Sequence, residues 1–191
     1  MARPRTISDE RLLAATGVVI GRFGPGFTLA QVAEEAGVAV GSVAQRFGSK
    51  AGLLRALTQA GRRDVVARLR SVAVSAADPR AALRDALVAV YSEIGDAATA
   101  ANHLGQLGMD IADPELRGLL GEHYAAMEKE LRGLVRAAAA DGWNGPEPPV
   151  AARTLLVAVN GAALDWSIRP RGTLVARLRE TIDSITGSWY A

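Results

Sequence analysis

Between Thr28 and Phe47 the chain carries residues suited to meeting a polyanion and reading its edges, not to breaking bonds. Thr28 is followed three residues later by Gln31, the spacing of a capping box. A hydroxyl beside free backbone N–H groups at a helix N-terminus favours an anion. A short helix follows with Val32, Ala33 and Ala36 inward, and Gly37 supplies its terminal turn. The next short helix, Val38 to Phe47, exposes Ala39, Val40, Gly41, Ser42, Gln45 and Arg46. These are mostly small or hydrogen-bonding residues. Such a surface fits a major groove, because bulky or acidic side chains would bar access to base edges. Arg46 has the reach for a phosphate or a guanine. Two short helices crossing on Ala33 and Gly37, with Val32, Val38, Val43 and Phe47 filling the shared core, read as a helix-turn-helix. An ordinary hairpin inside a helical bundle has the same spacing.

Catalytic alternatives find little support. There is no phosphate-binding Gly-x-x-x-x-Gly-Lys-Ser/Thr loop, no Gly-x-Ser-x-Gly elbow and no His-Glu-x-x-His helix. Glu34 and Glu35 are adjacent on a short helix, so their side chains diverge. The chain has no cysteine, which removes thiolate metal sites, disulfides and thiol nucleophiles. His103 and His123 are its only histidines, too few and too scattered for a metal site. The chain is expected not to be an enzyme and to need no cofactor or metal.

Charge is unevenly spread. The 191 residues carry a net charge of +2, but residues 1–70 hold eleven Lys/Arg against five Asp/Glu, and residues 71–191 eleven against fifteen. A basic front on an acidic rear is the asymmetry expected when one end meets a polyanion. Arg3 and Arg5 ahead of the apolar stretch Leu12–Gly21 superficially resemble a secretory leader. Asp9, Glu10 and Arg11 interrupt that pattern, no convincing cleavage site follows, and no apolar run reaches about 18 residues. A cytoplasmic protein without membrane contact is expected.

Positioning the motif requires helices throughout. Apolar residues recur at three- and four-residue steps and no alternating strand pattern stands out. Ser8 caps a first helix ending near Gly21 or Gly24, and Gly24-Pro25-Gly26 breaks it. Ser49 opens a longer helix carrying Leu53, Leu54, Leu57, Val65, Val66 and Leu69. Asp78-Pro79 and Asp113-Pro114 start two more, the first running on through Val90, Tyr91 and Ile94, the second to about Ala140. Residues 95–108 are rich in glycine and alanine, so helix there is expected to be weak and deformable. A loop over Asp141–Pro149 precedes helices at roughly 150–168 and 172–188. The reading is an all-α fold of about nine helices, with a reader in residues 1–55 and a helical body in 56–191.

The run Gly26-Phe27-Thr28-Leu29, Val32-Ala33, Ala36-Gly37-Val38, Gly41-Ser42-Val43, Phe47, Ser49-Lys50, Leu53-Leu54 resembles the DNA-binding region of the TetR family of transcriptional regulators. The resemblance covers about residues 8–57 and implies a dimeric repressor on double-stranded operator DNA, with a C-terminal ligand-binding and dimerisation domain. By its terms Thr28 and Lys50 contact phosphates, and Val40, Gly41 and Ser42 enter the groove. One position departs. Where the family usually has a phosphate-contacting tyrosine this chain has Ala44, which either touches a thymine methyl, lowers operator affinity, or is simply tolerated. Arg3 and Arg5 are either a minor-groove arm or a solvated terminus.

The rear half is less explicit. The helix from Val150 to Trp166 is apolar on nearly every side and must be covered all round. With the stripe Leu174, Leu178, Ile182, Ile185 and Trp189 on the last helix it suggests a two-fold four-helix interface, whose residues on the first of these helices are Leu155, Val159, Ala163 and Trp166. A monomer with a well-buried central helix is the other reading. Candidate effector contacts are Tyr91, His103, Leu107, Met109, His123, Tyr124, Met127, Asn160 and Leu164. Few formal charges lie nearby, so a small, mainly apolar ligand is expected. Asn160 either orients that ligand or pairs with its symmetry mate. The mechanism expected is two recognition helices in successive major grooves of a near-palindromic operator, released when a ligand favours another reader spacing. The competing class is a helical ligand-binding or scaffold protein whose degenerate reader no longer binds specific DNA.

Overall fold

The computed structural model describes residues 7–91, 94–139 and 143–190; Arg3, Arg5 and the loop residues Asp141 and Gly142 lie outside these. Among the described residues the chain forms nine α-helices. They are α1 (Asp9–Phe23), α2 (Leu29–Ala36), α3 (Val40–Phe47), α4 (Lys50–Ser75), α5 (Pro79–Ala89), α6 (Ala97–Ala112), α7 (Pro114–Ala138), α8 (Pro148–Ile168) and α9 (Leu174–Thr186). Short 3-10 turns cover Gly24–Gly26 and Gly187–Trp189. None of the described helices is long and apolar enough to cross a membrane.

The caps explain most boundaries. Ser8, Thr28, Ser49, Asp78, Asp96, Asp113 and Thr173 each accept a backbone N–H from the first turn they precede. This satisfies donors that a helix start would otherwise leave open. One expectation needs correction. The helix opened at Asp78 stops at Ala89, so Val90, Tyr91 and Ile94 lie beyond it. The glycine-rich segment forms a helix, α6, opened by the Asp96 cap.

Two hydrophobic cores form. The reader core joins Leu12, Val19, Ile20, Phe27, Val32, Val43, Leu53 and Leu54, and takes Leu116 from α7. The body core joins Val65, Leu69, Leu83, Leu87, Met127, Leu131, Leu155, Leu178 and Ile182. α4 contributes to both as one uninterrupted helix.

Along α4 runs a ladder of ion pairs to α7: Arg55–Glu115 at 2.8 Å, Arg62–Glu122, and Arg70–Glu130 at 2.7 Å. Each partner lies 60 residues further along the chain, so the two helices run parallel in fixed register. Exposed pairs of this kind stabilise by about 0–1 kcal/mol each. Their effect here is alignment.

The reversal from α3 into α4 uses only Gly48 and Ser49. A methyl group at Gly52 would fall well inside van der Waals contact with the Phe47 carbonyl oxygen. Gly52→Ala should therefore displace α3 against α4 and lower the thermal midpoint. Gly133→Ala, with open space around its Cβ position, should raise it by gaining up to about 1 kcal/mol of helix propensity. Paired melts followed by circular dichroism check both signs.

Candidate nucleic-acid interface

At the start of α2 the capping box is complete. Thr28 Oγ1 accepts from the Gln31 N–H at 3.3 Å, and Gln31 Oε1 accepts from the Thr28 N–H at 2.8 Å. Thr28 is exposed, so this helix start faces solvent. Gly37 ends α2 in the left-handed conformation at φ 71°, which glycine adopts without a Cβ penalty. The chain then turns through Val38 into α3, which begins at Val40, two residues later than its pattern suggests; Ala39 is the N-cap. No side chain caps α3, leaving its first amides to water or an anion.

α3 divides cleanly. Val43 is wholly buried against the reader core, while Ala39, Val40, Gly41, Ser42, Gln45 and Arg46 are exposed. Ala44 is half-buried at the edge of that face. Nothing lies within 4 Å of the position a Gly41 Cβ would take, so packing does not demand a glycine there. Arg46 is engaged by Asp9 at the head of α1; to meet a phosphate or guanine it must exchange that carboxylate. Lys50 Nζ donates to the Pro25 and Phe27 carbonyls and lies over the Phe27 ring, contacts its sequence position did not disclose.

The body residues nominated for a ligand do not stay together. The Tyr91 hydroxyl donates to Asn160 Oδ1, which gives Asn160 a partner within its own chain. Desolvation, and then neighbouring Tyr124, push the Tyr91 phenol far above its ordinary value. His123 stands edge-on to Tyr124 with centroids 6.0 Å apart, and its buried Nδ1 has no protein partner. Met127 is core and Leu107 is half-buried. His103 sits instead at the reader junction, its Nε2 3.4 Å from where a Gly21 Cβ would stand. Met109 and Leu164, at 60% and 48% exposure, face solvent. Two clefts of about 350 and 360 Å³ open elsewhere, between α5 and α9 and between α4 and α7, lined by none of these residues.

The nominated interface residues also need correction. Leu155, Val159, Ala163, Trp166, Leu174, Leu178, Ile182 and Trp189 are buried in the protomer's own core, and Ile185 is packed against it. An all-round apolar helix hid which side faced inward. The exposed apolar row on α8 is Val150, Val157, Leu164 and Ile168.

A helix-turn-helix reader fixed to an all-helical body defines a class of DNA-binding transcriptional regulators. Residues 12–57 match the model of the bacterial regulatory proteins of the tetR family. Solved structures agree over nearly the whole chain. A transcriptional regulator from Rhodococcus sp. Rha1 is 25% identical, with 96% of this chain and 98% of that one covered and a TM-score of 0.73. A TetR regulator from Haloarcula marismortui is 16% identical at TM-score 0.78, covering 96% and 98%. The Stenotrophomonas maltophilia repressor of a multidrug efflux pump is 19% identical at TM-score 0.68, covering 97% and 91%. No curated protein sequence matches the chain. The family match is carried by the reader, and over the rest of the chain the likeness to these regulators is one of fold.

Burial and then Arg62 hold the His123 imidazole below the ordinary histidine range. The folded protein thus binds fewer protons here than the unfolded chain, and stability rises with pH across this window. Lowering pH from about 7 to 5.5 should reduce the thermal midpoint, starting near the unfolded value of about 6.5. His123→Gln should flatten that decline; an equally steep decline in the variant would show that other groups cause it.

Proposed function

We propose that the protein is a ligand-responsive homodimeric repressor that binds a near-palindromic operator. The observation carrying this reading is the division of α3: Val43 anchors the helix in the core, and the outward face from Ala39 to Arg46 is small, polar or cationic. In this reading Val40, Gly41, Ser42, Ala44 and Gln45 meet base edges, with Thr28 and the first amides of α2 on a phosphate. Arg46 leaves Asp9 for the DNA. Among the similar structures, the Stenotrophomonas maltophilia protein is a repressor, that of a multidrug efflux pump.

Dimerisation follows from α8. Val150, Val157, Leu164 and Ile168, from 48% to 69% exposed, recur at seven- and four-residue steps along one helix face. A second copy of the same face covers them by two-fold symmetry. The effector is a small, mainly apolar molecule, and the polar node of Tyr91, Tyr124 and Asn160 orients it. By binding better to one reader spacing than the other, it shifts the population away from DNA.

Selection of duplexes from a random-sequence pool tests the first claim. Enrichment of an inverted repeat with half-sites about one helical turn apart is expected. Sequence-independent binding, or none at low salt, would favour a degenerate reader. Gly41→Glu should abolish the enrichment without lowering the melting temperature by more than a degree or two. For the interface, light scattering of the 19.9 kDa chain should give twice that mass. Val157→Asp with Leu164→Asp should return it to the protomer mass with the helical spectrum intact, and a monomeric wild type would exclude the dimer.

A further inference from the structure

Between the first turns of α5 and the end of α9 lies a cleft of about 350 Å³, large enough for a small organic molecule. Buried Leu83 and Ile182 form its apolar floor, and Arg80, Arg84 and Tyr190 stand along it. α4 is roughly 39 Å long at 1.5 Å per residue, and it ends at Ser75, shortly before α5 begins. The cleft therefore sits at the end of the body away from the reader. It includes none of Tyr91, Tyr124 or Asn160.

What this cleft holds in excess is hydrogen-bond donors. The Arg80 guanidinium lies over the Tyr190 ring, 3.6 Å from its centroid. Stacking uses the face of a guanidinium and leaves the N–H groups in its plane available. Among the described residues nothing accepts from the Arg80 side chain. Arg84, one turn further along the same face of α5, has Asp183 across the cleft at 3.8 Å, too long for a hydrogen bond. The Tyr190 hydroxyl is shielded from water and has no partner. Burial raises its pKa, with Arg80 opposing and Asp78 reinforcing the shift, so the phenol stays protonated and remains a donor. Asp78 does not neutralise the arginines, because its carboxylate accepts from the Arg80 and Ala81 amides that open α5.

The wall that carries Tyr190 is fixed in place. Its ring meets Trp143 edge-on with centroids 5.3 Å apart, and Trp143 meets Trp189 in the same manner at 5.3 Å. The Asn144 N–H donates to the Trp189 carbonyl at 2.8 Å, and the Trp143 indole to the Pro146 carbonyl at 3.1 Å. A Cβ at Gly145 would stand 2.5 Å from Trp143 and 2.8 Å from Trp189, so the segments before α8 and after α9 are packed without slack. Donors held this way lose little freedom when a ligand arrives.

We propose that this cleft is a binding site for a small organic carboxylate, with the anionic head on Arg80, Arg84 and the Tyr190 hydroxyl and the apolar body on Leu83 and Ile182. Guanidiniums offer donors and no acceptor, and charge-assisted bonds to a carboxylate are the strong ones. The apolar floor favours a hydrocarbon body over a bare inorganic ion. A bound acid also braces the segment after α9 against α5. The site is separate from the effector node at Tyr91, Tyr124 and Asn160, and it does not depend on the reader binding DNA.

Titration of the full chain with butyrate and with benzoate, followed by NMR, tests the site without DNA. At least one acid should bind saturably with a Kd of roughly a millimolar or tighter, shifting the Tyr190 and Arg84 side-chain resonances. Butyramide lacks the charge and inorganic phosphate lacks the apolar body, so each should bind about ten-fold more weakly or worse. Arg84 is exposed, so Arg84→Gln should fold as the wild type does and weaken the acid by about ten-fold. Tyr190→Phe keeps the ring beneath Arg80 and should weaken it by about three-fold. No saturable binding of either acid at concentrations on the order of 10 mM would overturn the proposal. So would butyramide or phosphate binding as tightly as the acids, or acid binding that Arg84→Gln leaves unchanged.

Discussion

Everything in this molecule depends on α4 belonging to two cores at once. Leu53 and Leu54 are buried in the reader, Val65 and Leu69 in the body, and the helix between them has no break. A continuous helix transmits rotation and translation along its length in a way a flexible linker does not. Arg55, Arg62 and Arg70 hold it in register against α7, whose own first turn reaches the reader core through Leu116. The reader is therefore attached along two parallel helices, and its orientation follows from how the body packs.

A third attachment comes from α6. Its Asn102 amide donates to the Gly21 carbonyl near the end of α1, and its Gly105 lies against Pro25. Packed interfaces of this kind favour discrete arrangements over continuous deformation. A body that changed its packing around Tyr91, Tyr124 and Asn160 would thus have two routes to α2 and α3, one through α4 with α7 and one through α6.

Much of this was legible in the sequence, and what was hidden has definite physical causes. The Thr28–Gln31 capping box, the Gly37 turn and the buried Val43 follow from residue type and spacing, because capping and burial are local and periodic. Gly52 was missed because its requirement is a close approach to the Phe47 carbonyl, set by the path of the chain. The ladder between α4 and α7 was legible only as scattered charges until the parallel packing placed residues 60 apart side by side. The outward face of α8 was hidden because that helix is apolar all round. Pattern shows that such a helix is covered, and only packing shows which side the protomer covers itself. Lys50 was named for its position, while its partners at Pro25 and Phe27 lie 25 and 23 residues away.

The central claim is that the exposed face of α3 reads sequence in duplex DNA. Its most direct test is the ratio of affinities for a selected duplex and a scrambled duplex of equal length and composition, measured by anisotropy at physiological salt. A specific reader of this kind should prefer the selected duplex by about a thousandfold or more. A ratio near one would leave only the attraction of a basic surface for a polyanion and would contradict the claim.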